Sequence, residues 1–208
     1  MKYKWLNFSK NDKLIIFFNG WGMDENAVKH LKPEAFDVLM FYDYNSLESD
    51  FNDYNDYNEI NIIGWSMGVM ISSIVISQFN IKYNKYTAIN GTHSPIDKNF
   101  GINPKVYDLM IERYNEHTFE KFVKKMSDNE LKEINIESIS RTEQDRKSEL
   151  VKLKSYKGDS GVKPTRIIIG NNDKIIPTKN QSAYWGIGAN IECGHYPFHL
   201  FTKWSELL

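Results

Sequence analysis

Continuous apolar runs punctuate the chain, and each stops at a glycine or a polar cluster. Leu14–Phe18 stops at Asn19-Gly20-Trp21-Gly22, and Val38–Tyr42 stops at Asp43. Ile60–Ile63 stops at Gly64-Trp65-Ser66-Met67-Gly68, Tyr86–Ile89 at Asn90-Gly91, and Arg166–Ile169 at Gly170-Asn171-Asn172-Asp173. A final, more polar run, Asn190–Cys193, leads into Gly194-His195. Such runs do not alternate, which suits strands covered on both faces, as in a parallel sheet. Met67 to Phe79 is apolar on nearly every side, so it predicts a buried helix directly after the Gly64–Gly68 turn. The β–α alternation predicts a doubly wound α/β sheet, with functional groups in the loops at the carboxyl ends of the strands.

From about Thr92 to Lys163 the strand runs give way to helical signals. Asn103-Pro104 reads as an N-cap followed by proline in the first turn. Phe119, Phe122, Val123 and Met126 share one helix face. Ser127 with Glu130 has the spacing of a capping box, and a further helix is expected over Thr142 to Lys157. Gly158-Asp159-Ser160-Gly161 marks the return to the sheet. The division expected is a core of residues 1–91 and 164–208 with a helical insert at 92–163.

The 208 residues suit one domain with a substantial insertion, and a chain of this length buries enough surface to need no disulfide staples. Apolar residues at 41% and charged residues at 25% are globular values. A net charge of -1 excludes a whole-molecule basic field for nucleic acid. Cys193 is the single cysteine, so no intramolecular disulfide forms, and a cysteine-based zinc site is not expected. No metal or cofactor is expected. Met1-Lys2-Tyr3-Lys4-Trp5 has no apolar signal core and no run is long enough to span a membrane, so a cytoplasmic protein is expected.

Gly64-Trp65-Ser66-Met67-Gly68 matches G-x-S-x-G between a predicted strand and a predicted helix. The glycines leave room for a tight turn that projects the Ser66 hydroxyl from the sheet edge. The alternative is a serine in an ordinary strand-to-helix turn. A nucleophilic serine needs a base and an orienting carboxylate, in the order Ser, Asp or Glu, His. Asp173 and His195 each follow a predicted strand, at the same sheet edge as Ser66. Asp173 competes with a simple turn-forming role after Asn171-Asn172. His199 and His93 are the rivals of His195, while His30 and His117 fall on presumed helices. The developing oxyanion needs donors, for which the Met67 backbone N–H and the Trp21 N–H in Asn19-Gly20-Trp21-Gly22 are the candidates.

In this order, Asn-Gly-Trp-Gly, Gly-Trp-Ser-Met-Gly, Asp-x-x-x-Pro and Gly-His-Tyr-Pro-Phe resemble the α/β-hydrolase superfamily. More narrowly, Phe17–Asp24 with Gly64–Gly68 and the short length resemble the BioG family, pimeloyl-[acyl-carrier protein] methyl ester esterases of biotin synthesis. BioH esterases share the Gly-Trp-Gly and Gly-Trp-Ser elements, but Asn19 stands where a His-Gly pair is usual. With only Tyr3-Lys4-Trp5-Leu6 ahead of the first run, the first hairpin is expected to be missing. The resemblance implies a reduced, mostly parallel sheet with helices on both faces and an inserted helical lid. It also implies a serine esterase acting on an acyl carrier protein substrate.

Between Ser138 and Lys163 there are 7 basic and 4 acidic residues, which offers a basic docking surface for that acidic partner. Arg141, Arg146 and Lys154 are its expected members, with Arg113 and Lys147 behind them. The alternative is a solvated helix face. Two other functions compete: a general carboxylesterase or thioesterase on small acyl substrates, and a non-catalytic hydrolase-fold binding protein.

Overall fold

The computed structural model describes residues 1–48, 54, 56–127 and 139–208. Its sheet has six strands: β1 (Lys2–Asn7), β2 (Lys13–Phe18), β3 (Asp37–Tyr42), β4 (Glu59–Trp65), β5 (Lys85–Ile89) and β6 (Arg166–Ile168). The spatial order is β1-β3-β2-β4-β5-β6. β2, β3, β4, β5 and β6 run parallel, and β1 pairs antiparallel with β3. Leu14, Ile15, Ile16, Phe17 and Phe18 are each 0% exposed, so β2 is covered on both faces as its unbroken apolar run predicts.

Among the described residues, five helices of two turns or more connect and flank the strands: α1 (Met67–Phe79), α2 (Pro104–Glu112), α3 (Glu116–Met126), α4 (Glu143–Leu153) and α5 (Thr178–Trp185). α1 has the bounds its apolar run predicts. It ends at Asn80, whose left-handed backbone lets its N–H cap Ile76 and Ser77. α2, α3 and α4 all lie between β5 and β6. Asn103 caps α2 and Thr142 caps α4 through their side chains. Ser127 closes α3, with its hydroxyl on the Val123 and Lys124 carbonyls. Glu130, its expected capping partner, lies outside the described residues.

One expectation about the sheet needs correction, and one segment was not read as a strand. Among the described residues no hairpin opens the sheet, as expected, but Lys2–Asn7 add a single antiparallel edge strand beside β3. Their pattern of lysines and aromatics is that of a half-exposed edge, so it gives no buried run to read. Conversely, Asn190–Cys193 is not a strand. It joins the sheet end through a single bridge, Gly170 to Ile191, beside bonds from Asn190 and Ile191 N–H to Ile169 O.

The parallel order places the ends of β2, β3, β4, β5 and β6 along one edge, and every loop discussed below leaves from there. The helical insert docks on that edge through Trp21. Its ring packs edge-on against Tyr114, Phe119 and Phe122, with centroids 5.8, 5.7 and 5.0 Å away. Its Nε1–H donates to Arg146 O at 2.8 Å.

Candidate active site

Ser66 sits between the last residue of β4 and the first of α1, with φ 57° and ψ -122°. That is the strained region for a side chain bearing a Cβ, at a cost of about 1–3 kcal/mol. The neighbours hold it there. Ser66 N–H donates to Ile89 O at 2.9 Å, and Ser66 O accepts from Val69 N–H at 3.1 Å. The flanking glycines are required by close approach. A Cβ on Gly68 would lie 2.1 Å from Phe18 O and 2.7 Å from Asn19 O. One on Gly64 would lie 2.8 Å from Ser72 Oγ and 2.9 Å from Gly68 O. The turn therefore presses α1 onto the end of β2, beside the loop that carries Trp21.

His195 Nε2 is 2.8 Å from Ser66 Oγ, and His195 Nδ1 is 2.7 Å from Asp173 Oδ2. All three side chains are buried. Asp173 Oδ1 accepts Ile175 and Ile176 N–H at 2.9 and 3.0 Å, and Oδ2 also accepts Gln181 Nε2 at 2.8 Å. Each oxygen is thus met by donors, so the carboxylate has no proton to offer and Nδ1 must carry the hydrogen. That leaves Nε2 bare toward the Ser66 hydroxyl, the tautomer that a base requires.

The loop bearing His195 is fixed from two sides. Trp65 Nε1 donates to His195 O at 2.9 Å. Asn90 Nδ2 donates to both Gly194 O and His195 O at 3.0 Å, and Asn90 Oδ1 accepts Gly170 N–H at 2.7 Å. Asn90 thereby ties the end of β5 to the loops carrying His195 and Asp173. Beyond it, Phe198 packs against Phe17 and Trp65, with centroids 5.7 and 5.0 Å away. Sequence reasoning did not identify Asn90 or Gln181. Asn90 had a signal, its place in Asn-Gly after a strand; Gln181 had none.

The rival histidines lie elsewhere. His93 is 2% exposed and stacks on Tyr86, edge-on to Tyr184 and Trp185. Neither of its ring nitrogens has a hydrogen-bond partner among the described residues, and burial pulls its pKa down to about 4. His199 Nδ1 turns to Tyr196 O at 3.1 Å. His30 Nε2 turns to Phe198 O at 2.9 Å, and His117 lies exposed on α3.

The Trp21 and Met67 amides have no hydrogen-bond acceptor among the described residues. The amides around Trp21 do: Asn19 N–H on Phe41 O at 3.0 Å, Gly20 N–H on Asn19 Oδ1 at 2.8 Å, and Gly22 N–H on Glu149 Oε2 at 3.1 Å. Asn19 is fully buried, and its Nδ2 donates to Asp24 O at 2.9 Å. It braces this loop from within.

Arg141 and Arg146 do not form an exposed docking surface. Arg141 is 6% exposed and pairs with Glu149 at 2.6 Å and Asp43 at 3.3 Å. Arg146 is 2% exposed, pairs with Glu116, and donates to Tyr114 Oη at 2.8 Å and to Arg141 O. Asp43 and Glu116 lie outside the stretch whose charge excess suggested docking and Glu149 lies within it, and towards these carboxylates the two arginines turn. Lys154 is exposed and pairs with Asp108. Among the described residues no group of His, Cys, Asp and Glu could hold a metal ion, and no helix is long and apolar enough to cross a membrane.

A mostly parallel sheet with a serine at a strained strand-to-helix turn, hydrogen-bonded to a histidine that in turn bonds an aspartate, both on later loops at the same sheet edge, defines an α/β-hydrolase. The fold agrees with a serine hydrolase involved in carbazole degradation, at TM-score 0.62 and 13% identity over 93% of this chain and 86% of that one. Residues 1–207 match the family model described as pimeloyl-ACP methyl esterase BioG, and the chain belongs to that family. The crystal structure of BioG from Haemophilus influenzae superposes with TM-score 0.87 at 32% identity, covering 100% of this chain and 99% of that one. A malonyl-[acyl-carrier protein] O-methyltransferase of Bacteroides fragilis is 35% identical over 179 residues, 82% of this chain. The chain spans only 36% of that longer relative.

Proposed function

We propose that the protein is a serine esterase that hydrolyses the methyl ester of pimeloyl-acyl carrier protein. The observation that carries this reading is the buried run of bonds from Ser66 through His195 to Asp173 at 2.8 and 2.7 Å, in a chain of the BioG family. Ser66 Oγ attacks the ester carbonyl as its proton passes to His195 Nε2. The charge that builds on the carbonyl oxygen is met by the Trp21 and Met67 amides, each worth on the order of 3 kcal/mol in the transition state. His195 returns the proton to the departing methoxide, and methanol leaves. Water, deprotonated by the same nitrogen, then cleaves the acyl-enzyme and frees the pimeloyl carboxylate and Ser66. Asp173 keeps its charge throughout and stabilises the imidazolium.

The acyl carrier protein is the proposed partner, and its docking surface consists of exposed lysines of the insert. Lys154 remains in it. Lys121, Lys124 and Lys125 join it as exposed residues of α3, whose last carbonyl, Met126 O, accepts Tyr196 N–H at 3.0 Å beside His195. The insert, residues 92–163, acts in this reading as a lid over the site. The test is a comparison of turnover on the carrier-linked methyl ester and on a short p-nitrophenyl ester. A large preference for the first supports the reading. Equal turnover supports a general carboxylesterase.

A further inference from the structure

α4 belongs to the insert, yet its Glu149 side chain is 0% exposed and reaches the loops at the ends of β2 and β3. Glu149 Oε2 accepts Gly22 N–H at 3.1 Å and the Arg141 guanidinium at 2.6 Å. Oε1 accepts Tyr44 N–H at 2.9 Å. Tyr44 closes a ring by donating its hydroxyl to Asn19 O at 2.8 Å, at the start of the loop that Gly22 ends. Trp21 lies between these anchors, with its indole held by Arg146 O from the same helix. Gly22, at φ +76°, makes the turn. Met23 N–H returns to Gly20 O at 3.3 Å. From Asn19 to Met23, only the Trp21 amide has no acceptor among the described residues.

We propose that Glu149 is a positioning residue for the oxyanion donor: it holds Gly22 and Tyr44 so that the Trp21 N–H faces the ester oxygen at Ser66. The role rests on the esterase reading above. The chemistry calls for a carboxylate at this point. Two backbone donors and a guanidinium converge on it, and both oxygens must accept. Glutamine has one accepting oxygen, so its amide NH2 would confront a donor and release one of the two loops. A buried acceptor that leaves its donors unsatisfied also lets the loop seek other bonds. A helix of the insert thereby sets the geometry of a group that acts on the reacting atoms, without touching the substrate itself.

Glu149→Gln tests the assignment, with the intact chain and a soluble methyl or p-nitrophenyl ester. The expected result is a fall in kcat of about 10–100-fold. KM should be little changed, and the kcat/KM pH profile should keep its midpoint because His195 and Asp173 are untouched. End-point labelling of Ser66 by a fluorophosphonate should remain stoichiometric. A merely structural role would lower the folded fraction and leave kcat per labelled site unchanged, which would overturn the proposal.

If the variant does not fold, Arg141→Met with Glu149→Leu removes that pair together, a change buried pairs often tolerate, while Lys2 stays on Asp43 at 2.8 Å. The same loss of kcat is expected. The wild type gives an independent readout through its amide NMR resonances on binding an alkyl boronic acid, which forms a tetrahedral anion on serine. Trp21 and Met67 should shift while Gly22 and Tyr44 hold position. A Gly22 amide that moves as far as Trp21 would show a loop that Glu149 does not fix. The esterase reading fails separately: it falls if Ser66→Ala still hydrolyses ester, whereas undiminished kcat in a folded Glu149 variant overturns only the positioning role.

Discussion

Asp173 has donors on both carboxylate oxygens, and this decides what each neighbour can do. Because His195 Nδ1 must donate to Oδ2, substituting Asp173→Asn places an amide that can turn its NH2 toward Nδ1 and favour the wrong tautomer. The expected loss is on the order of 10⁴-fold in kcat with the fold retained, read by steady-state kinetics. Gln181→Leu removes one of four donors and should cost far less. His93 contributes at the same scale but to stability. Its pKa in the folded protein is about 4, below the roughly 6.5 of an unfolded histidine. The unfolded chain therefore takes up this proton first as the pH falls. The stabilisation is fully present above about pH 6.5 and is lost as pH drops toward 4, amounting to about 3 kcal/mol. His93→Phe should flatten that part of the stability profile in urea unfolding at stepped pH. An unchanged slope would contradict the burial argument. Ser66 and Asp173 were legible because strand ends and glycines mark their positions, and His195 because it follows Gly194 after a short run that looked like a strand but forms only one bridge. Gln181 was not, since a helical glutamine looks the same whether it faces water or a carboxylate.

Helices and covered strands were read closely, and the segments at the sheet's margins were not. α1 coincides with its apolar run, and α4 falls within the stretch expected from Thr142 to Lys157. β1 escaped because an edge strand with Lys2 and Lys4 needs no buried pattern. Asn190–Cys193 looked like a strand because a short run before a loop has the same composition whether or not a ladder forms. The crossing of α1 over β2 offers a direct test at this scale. A methyl group on Gly68 would lie 2.1 Å from Phe18 O, a backbone atom that cannot swing aside. Gly68→Ala should therefore destabilise by about 1–3 kcal/mol or more and disturb the Trp21 loop together with the turn at Ser66. Denaturant unfolding with kinetics on the same sample checks both, and a variant of native stability and activity would contradict the packing.

Across the whole molecule, a net charge of -1 hides how its cations are used. Arg141 is the positive half of a buried pair with Glu149, and Arg146 is buried against Tyr114 and Phe119 with the half-exposed Glu116 at its outer end, so reversing either would disrupt packed structure rather than weaken a docking surface. Composition could not separate these from exposed lysines, because burial depends on acidic partners remote in sequence, Asp43 among them. Lys124→Glu with Lys125→Glu should raise KM for the carrier-linked ester several-fold and leave a small ester unchanged. Rim charges act mainly on association and are screened within about 10 Å at 0.1 M salt. Added salt should then weaken the wild type more than the reversed variant. Equal effects on both substrates would contradict docking there. The central claim is that Ser66 cleaves a methyl ester carried on an acyl carrier protein. Its most direct test is intact-mass spectrometry of methyl pimeloyl-acyl carrier protein incubated with the wild type and with Ser66→Ala. The account predicts conversion to the free acid by the wild type alone, with the thioester to the carrier intact. Conversion by both proteins, by neither, or with release of the acyl chain from the carrier would contradict it.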